Sequence, residues 1–435
     1  MMNKTNIEAN TPTAGPLKQN NRRYMLFILS AVIFLNYFDR QVLGILVEPI
    51  KADLQLTDTE IGLLTGFAFA LFYAVFGLPF AKWADVGNRR NIISVSLASW
   101  SFMTVLCGLA GNFLSLFAAR MGVGVGEAGG TPTAHSLLAS SFPAEKRGKA
   151  ASFLSVSGIL GSFGGIIVAG YIAQLYGWRV AFIVAGLPGL ILAVIIMLTI
   201  KEPRPHPKRP PFSDIFGPAV LRECRALFSN PAYTQIAFGM VAMMFWQWGT
   251  GNWFPAYLVR AYELELGEVA LRFGVIAGAA SVIGAVIGGI ANDRLVQRTE
   301  VWRGLFPGLS SAVAAVFAVV TFTAPTLNLA LVGLFVSTLA IGMTFPTIYA
   351  AFYTIAGEER RAMGVALSAF LNNMISLALG PLLIGAASDW LSSDANPAEG
   401  LRLAMLLATV ALVIASACYL TAANTFRTRA SSPAT

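Results

Sequence analysis

Ionisable residues stand inside long apolar runs of the sequence, and their chemistry needs an explanation first. Asp39 lies in the first such run, and Arg120 and Glu127 lie in the fourth. An ionisable side chain within a membrane-spanning helix is costly and is usually functional. Arg40 directly follows Asp39 and therefore points about 100° away from it around a helix. These four residues predict a buried network of charges.

The depths of the charges allow some of them to meet. At helical rise, Asp39 lies about 13 Å from the end of its run and Arg120 about 12 Å from the start of its run, which are on the same side of the membrane, so they could form an ion pair. Glu127 lies two turns beyond, about 10 Å deeper on the same face. A carboxylate without a cationic partner in a low dielectric favours its protonated form. We therefore predict that Asp39 and Glu127 exchange protons, while Arg120 changes partner or holds an anionic head group. Alternatively, Asp39 and Arg120 only tie two helices together. Arg40 is expected to extend outward or to pair with Glu48.

The composition shows what kind of element must position these charges. Hydrophobic residues make up 56% of the 435 residues and charged residues only 12%, whereas soluble domains carry about 25% charged residues. This excludes an ordinary cytosolic enzyme, a disordered protein and a coiled coil, and predicts an all-α membrane protein. Twelve runs are long enough to span a bilayer. They cover approximately residues 24–48, 58–82, 91–110, 112–139, 148–174, 179–200, 232–259, 269–292, 302–323, 327–354, 362–388 and 400–424.

A stretch rich in proline and basic residues divides the twelve runs into two sets of six. The predicted organisation is an N-terminal tail (1–23), a first half (24–200), a linker (201–231), a second half (232–424) and a C-terminal tail (425–435). The end of the linker, from Phe212 to Phe228, could form an amphipathic helix on the membrane surface. Most of the 30 Lys and Arg residues fall on one side of the membrane. The positive-inside rule places both termini in the cytoplasm.

The two halves repeat a charged motif. The sequence Ala-Lys-Trp-Ala-Asp85-Val-Gly-Asn-Arg89-Arg90 follows the second run, and Gly-Ile-Ala-Asn-Asp293-Arg294 follows the eighth. The interval between the two acids matches the interval between the starts of the first and seventh runs. Many transporters are built from such repeats, with a substrate site where the repeats meet.

Twelve spans, a basic central linker and this repeated motif resemble the major facilitator superfamily over about residues 22–425. The stretch Arg120-x-x-x-Gly124-x-Gly126 is similar to the family's motif in the fourth helix. The resemblance implies twelve transmembrane helices in two pseudo-symmetric halves and transport by alternating access. It also implies that the repeated loop charges form a cytoplasmic gate, made of Asp85, Arg89, Arg90, Asp293 and Arg294.

Shorter motifs resemble the Spinster lipid transporters within that superfamily. They are Asn-Tyr-Phe-Asp39-Arg40, the stretch from Arg120 to Gly130, and Trp253-x-Pro255. This resemblance implies proton-coupled transport of lysophospholipids or sphingosine phosphate. The short tails suggest a bacterial member, which would lie in the inner membrane.

A second set of polar residues within the runs is a candidate substrate wall. Its members are Trp246, Asn252 and Trp253 in the seventh run, Thr344 in the tenth, and Asn372 and Asn373 in the eleventh. Indoles beside amides would suit an amphipathic ligand. Alternatively, tryptophans anchor helices at the membrane interface, and buried Asn and Thr join helices by hydrogen bonds.

The expected function is therefore a proton-coupled secondary transporter for an amphipathic, lipid-like substrate. A drug or sugar transporter of the same superfamily is the alternative. A membrane-embedded lipid enzyme would need a clustered catalytic set, and no such grouping is apparent, so an enzyme is not expected. Two histidines and three widely spaced cysteines give no metal spacing. The expected partners are the bilayer and a small molecule, not nucleic acid. We expect protons as the coupling ion, no cofactor and a functional monomer.

Overall fold

The structure is a computed structural model that describes residues 19–202, 218–392 and 396–431. Within these ranges the regular elements are helices, and no β-strand occurs. The α-helices are α1 (Gln19–Ile45), α2 (Val47–Leu54), α3 (Asp58–Gly62), α4 (Ala68–Val86), α5 (Arg89–Gly108), α6 (Phe113–Glu127), α7 (Gly130–Ser141), α8 (Ala144–Tyr176), α9 (Trp178–Thr199), α10 (Pro218–Phe228), α11 (Pro231–Tyr262), α12 (Leu266–Val296), α13 (Trp302–Thr323), α14 (Leu327–Leu371), α15 (Ala378–Leu391), α16 (Pro397–Ala408) and α17 (Val410–Ser431). Two π-helical segments, Leu63–Phe67 and Asn372–Leu377, follow α3 and α14.

These helices form twelve membrane spans. Ten stretches of the described residues are long and apolar enough to cross a membrane. The other two are the fourth span, made of the shorter helices α6 and α7, and the seventh span, α11. The fourth span holds Arg120 and Glu127, and the seventh holds Trp246 and Asn252. Both spans therefore carry residues of the candidate site that the sequence predicts.

Two predicted boundaries differ from the structure. The first span ends at Ile45, and a separate short helix, α2, begins at Val47. The loop predicted between the tenth and eleventh runs is wrong, because α14 continues without a break from Leu327 to Leu371. The connecting residues contain no proline and are rich in Ala, Glu and Arg, which favour helix. Of the predicted amphipathic linker segment, α10 is described as a helix, and residues 203–217 lie outside the described ranges.

The same packing pairs occur in both halves. The second span packs against the fourth, and the eighth against the tenth. The third packs against the sixth, and the ninth against the twelfth. The first packs against the fifth, and the seventh against the eleventh. The fold is therefore two pseudo-symmetric bundles of six spans, with α1–α9 in the first half and α11–α17 in the second.

The halves meet mainly between the fifth and eighth spans and between the second and eleventh, and the first span also contacts the seventh. Glycine allows the contact between the second and eleventh spans to be close. A Cβ atom on Gly66 would lie 2.6 Å from the carbonyl oxygen of Ala378. Small residues let helix backbones approach closely within membranes. Both π-helical segments lie at this contact.

Candidate functional site

A cavity of about 590 Å³ lies between the two halves. Its walls come mainly from α1, α4, α7 and α8 of the first half and from α11 to α14 of the second. Several of its lining residues are aromatic or aliphatic, including Phe163, Phe254, Phe273, Phe322 and Phe345. The cavity is therefore largely apolar, and its polar residues can be considered individually.

Arg40 on α1 is the charged residue that reaches this cavity from the first half. Its Nε atom donates to Oε2 of Glu127 at 2.7 Å, and the side chain of Glu127 is 0% exposed while that of Arg40 is 12% exposed. The guanidinium also lies over the ring of Tyr73, 4.5 Å from its centroid. Glu127 does not line the cavity. Arg40 therefore stands between a fully buried carboxylate and the open space.

Glycines bring the helices around the Arg40–Glu127 ion pair close together. A Cβ atom on Gly165 of α8 would lie 2.8 Å from the carbonyl oxygen of Phe38, so α8 packs directly on the backbone of α1 beside Arg40. A Cβ atom on Gly124 would lie 2.5 Å from the carbonyl oxygen of Phe69. This contact holds α6 against α4 and places Phe69 between two guanidinium groups. Arg40 lies 5.0 Å and Arg120 5.4 Å from its ring centroid.

Asp39 and Arg120 are buried behind the cavity wall and do not line it. The ion pair predicted between Asp39 and Arg120 does not occur among the described residues. Arg120 instead donates from Nε to the carbonyl oxygen of Leu64 at 3.4 Å. Thr104 donates to Oδ2 of Asp39 at 3.5 Å. Asp39 still interacts electrostatically with Arg120 and Glu127, so all four predicted charges lie in one network.

The predicted partners of Arg40 differ from the observed one. Arg40 neither extends outward nor pairs with Glu48. Glu48 pairs with Arg260, while Arg40 takes Glu127. Because adjacent helical residues point about 100° apart, the side of α1 that carries Asp39 faces α5, and Arg40 faces the cavity. Of the two arginines, Arg40 lines the cavity and Arg120 does not; the predicted role of Arg120 in binding a head group stays a prediction.

A second charged cluster joins the halves at the face opposite the linker. We call this the far face, and the face that carries the linker the linker face. Arg260 of the second half donates to Glu48 at 2.8 Å and to Asp58 at 2.7 and 2.8 Å. Lys51 and Ser388 also donate to Asp58. We call these five residues the far-face cluster.

The far-face cluster closes one end of the cavity. Asp389 strengthens the closure by accepting hydrogen bonds from the backbone of Asp58 and Thr59. Hydrogen bonds between the halves whose two partners are both described all lie at the far face. Toward the linker face, by contrast, the cavity extends to His135, Ser155 and Tyr349 near the ends of their spans. The cluster was missed from the sequence because charges at the ends of spans also mark ordinary interface positions.

The predicted gate residues on the linker face behave differently from one another. Arg89 is buried and binds Glu202 at 2.8 Å, and it also donates to Ser140 at 2.9 Å. Ser140 belongs to the first half, and Glu202 belongs to the linker segment that follows it. Arg90 donates to Asn91 at 3.0 Å. Glu202 was missed because it stands at the start of the linker, where a charge is unremarkable in sequence.

Asp293 accepts a hydrogen bond from the side chain of Asn292 at 3.3 Å, and neither Asp293 nor Arg294 forms an ion pair among the described residues. Asp293 and Arg294 are exposed. The side chain of Asp85 lies outside the described part of the structure. The roles of these residues in gating remain predictions.

The predicted substrate wall divides into two groups. Trp246, Asn252, Asn372 and Asn373 line the cavity. Trp253 and Thr344 do not line it: the indole of Trp253 donates to the carbonyl oxygen of Pro381 at 2.9 Å, and Thr344 donates to that of Ile341 at 2.7 Å. These two side chains are used in packing in this structure. Gln247 and Trp248 also line the cavity.

The comparisons with known proteins agree with this architecture. The family model of the Major Facilitator Superfamily matches residues 29–381, and the chain therefore belongs to that superfamily. It is a multi-pass integral membrane protein and a transporter of a small molecule, not an enzyme.

Several relatives of the chain are transporters by name. The chain is 32% identical over 403 residues to an MFS-type efflux pump of Mycolicibacterium smegmatis, covering 92% of each chain. It is 28% identical over 313 residues to a probable galactarate/D-glucarate transporter of Bacillus subtilis, covering 66% of this chain and 68% of the relative. The crystal structure of a bacterial homolog to the human lysosomal transporter Spinster, inward-facing and unoccupied, superimposes with a TM-score of 0.84 at 28% identity. That match covers 96% of this chain and 100% of the other. The chain is thus related to Spinster.

Proposed function

We propose that this transporter couples protons to the movement of an amphipathic, lipid-like anion of the lysophospholipid or sphingosine phosphate type. The observation that carries the proposal is the Arg40–Glu127 ion pair in the wall of a largely apolar cavity. The linker face is taken as cytoplasmic from the placement of basic residues, and the cavity would be reached from that side.

The ion pair offers a direct link between an anion and a proton. An anionic head group that enters the cavity meets Arg40 first and competes with Glu127 for the guanidinium. Once Arg40 turns to the ligand, Glu127 is left as a buried carboxylate without its cation. A charge in that position is very costly and is neutralised by taking up a proton. Asp39, in the same network, is a second group that could receive this proton. Binding of the anion and uptake of a proton are therefore coupled, and no cofactor is needed.

The rest of the cavity favours an apolar chain attached to that anion. Phe254, Phe273 and Phe322 come from three spans of the second half and line the cavity opposite α1. Its volume of about 590 Å³ lies within the ordinary range for small-molecule sites. A free sugar acid has no apolar chain to cover these rings, so it would bury less apolar surface than an amphiphile does. A drug-like amphipathic compound is the closest competing substrate, in keeping with the efflux-pump relative.

The far-face cluster fits alternating access. In this structure it holds the halves together on one side of the cavity. For the substrate to leave on that side, the ion pairs of Arg260 must break while the halves rock about the substrate site. The functional unit in this proposal is a monomer, because the cavity is formed entirely within one chain.

Uptake into proteoliposomes tests the proposal. Labelled lysophospholipid is supplied with and without an imposed pH gradient, to wild-type protein and to Glu127→Gln. We expect gradient-driven movement in the wild type and its loss in Glu127→Gln. The matched control is Glu145→Gln, which removes an exposed carboxylate of α8 outside the cavity and should transport normally.

Two results would contradict the proposal. Movement that responds to neither the gradient nor the substitution would indicate a facilitator without proton coupling. Absence of movement in the wild type would reject the lipid-like substrate, and the same vesicles would then be tested with drugs and sugar acids.

A further inference from the structure

Four buried polar atoms without hydrogen-bond partners stand together in the second-half wall of the cavity. They are Nε1 of Trp246, Oε1 of Gln247, Nε1 of Trp248 and Oδ1 of Asn372, and no partner for them occurs among the described residues. All four side chains line the cavity, and Trp246 is only 5% exposed. Buried polar groups in folded proteins are nearly always hydrogen-bonded, so each exception requires an explanation. We call these four residues the indole–amide cluster.

Neighbouring polar side chains of the seventh span, by contrast, are hydrogen-bonded. On the same helix, Thr250 donates to the carbonyl oxygen of Trp246 at 2.7 Å, and Asn252 donates to that of Trp248 at 2.7 Å. Trp253 donates to the eleventh span. The seventh span therefore satisfies polar groups that face its own backbone or another helix. The side chains of the indole–amide cluster line the cavity, and their four buried polar atoms have no such partner among the described residues, which points to a ligand as the partner.

The backbone conformation at Asn372 gives an independent indication of a ligand site in this wall of the cavity. Asn372 begins the π-helical segment Asn372–Leu377. Short π-helical segments within α-helices are frequently found at functional sites. Asn372 and the next residue, Asn373, both line the cavity. The irregular turn therefore lies in the cavity wall.

The chemistry of the cluster selects among head groups. Two indole N–H groups only donate hydrogen bonds, while the oxygens of Gln247 and Asn372 accept them. A hydroxyl group both donates and accepts, so it can satisfy both kinds of atom. A quaternary ammonium group has no hydrogen to donate to the amide oxygens. A second anionic group would face those same oxygens, which repel it.

We propose that the indole–amide cluster is a subsite for an uncharged, hydroxyl-bearing part of the substrate head group, while Arg40 on the opposite wall binds its anionic group. This inference rests on the proposed function and names the head-group class within it. The substrate would then be an anionic amphiphile with a polyhydroxylated head.

Equilibrium binding to the purified transporter in lipid nanodiscs tests the subsite. The two probes are lysophosphatidylinositol and lysophosphatidylethanol with the same acyl chain. Both carry one phosphodiester charge, and they differ in the hydroxyl groups of the head. We expect the wild type to bind the inositol probe more tightly.

Two substitutions remove single hydrogen bonds from the subsite. Asn372→Leu and Trp246→Phe should each weaken binding of the inositol probe about fivefold, as expected for one neutral hydrogen bond, and leave the ethanol probe unchanged. Trp246→Phe keeps an aromatic ring in place, so it remains informative if Asn372→Leu does not fold. The matched control is Trp253→Phe, which loses an indole outside the cavity and should leave the ratio between the probes unchanged.

The outcomes separate the subsite from the proposed function. Equal binding of both probes by the wild type would overturn the subsite while leaving lipid transport intact. Binding of neither probe would overturn the lipid-like substrate. In that case D-glucarate, an anionic polyol, replaces the lipids: binding that Asn372→Leu weakens would support the subsite, and absence of binding would overturn it.

Discussion

Replacing Arg260 with glutamine should shift the transporter toward the state that is open at the far face. Arg260 carries the ion pairs between the halves among the described residues, with three hydrogen bonds to two carboxylates. Breaking a fully buried ion pair costs about 3–5 kcal/mol. The cost here is smaller, because Asp58 keeps Lys51 and Ser388, and because Glu48 is 25% exposed and regains solvent. We expect a loss of about 2 kcal/mol from the closed far face, which shifts the equilibrium about 30-fold.

Distances between spin labels at the far face measure this shift. Ala52 of the first half and Thr326 of the second are exposed near this face and can be replaced by cysteine after the native cysteines are removed. Double electron–electron resonance should show one short distance in the parent protein. In Arg260→Gln a longer distance should become populated.

Arg179→Gln is the matched control. It breaks the ion pair with Asp53, which lies at the same face but within the first half, so the distance distribution should not change. An unchanged distribution in Arg260→Gln would refute the reasoning, because the far-face cluster would then contribute nothing to closure. A broadened distribution in both variants would show that loss of any surface charge, and not the contact between the halves, is responsible.

Two further predictions concern stability, measured by thermal unfolding of detergent-solubilised protein. Gly66→Ala places a Cβ atom 2.6 Å from the carbonyl oxygen of Ala378 and should destabilise the fold by about 2 kcal/mol. At Gly77 a Cβ atom would meet nothing within 4 Å, so Gly77→Ala should not destabilise the fold. Equal destabilisation by the two substitutions would reject close packing as the cause. Glu202→Gln should cost about 2 kcal/mol, because it weakens a charge-assisted contact to the buried guanidinium of Arg89. An unaltered unfolding temperature would show that this ion pair does not hold the linker.

The sequence predicted the membrane fold well because the bilayer imposes strict rules. Only long apolar helices satisfy backbone hydrogen bonds in lipid, so composition and run length were enough to find twelve spans. The cost of burying charge likewise singled out Asp39, Arg120, Glu127 and Arg40 as one network. Continuity of α14 through Leu371 was not predicted, because charged residues that suggest a loop also favour an exposed helix.

The pairing within the network could not be predicted in the same way. Asp39 and Arg40 are adjacent, and only the rotation of α1 about its axis decides which of them faces the cavity. That rotation is set by packing against α8, where Gly165 contacts the backbone of Phe38 and Gly161 that of Phe34. Arg260 and Asp58 are 202 positions apart in sequence, and only the docking of the two halves brings them together. Contacts that depend on tertiary packing leave no local signal.

The most direct test of the central claim is the pH dependence of anion binding. Affinity for lysophosphatidylethanol, whose phosphodiester keeps one charge near neutral pH, is measured in nanodiscs across a pH series for wild type and Glu127→Gln. If the anion takes Arg40 from Glu127 and the carboxylate then binds a proton, wild-type affinity should rise as pH falls, by up to about tenfold per pH unit. Glu127→Gln should bind with no such dependence. The same slope in both proteins would contradict the coupling of anion binding to protonation of Glu127.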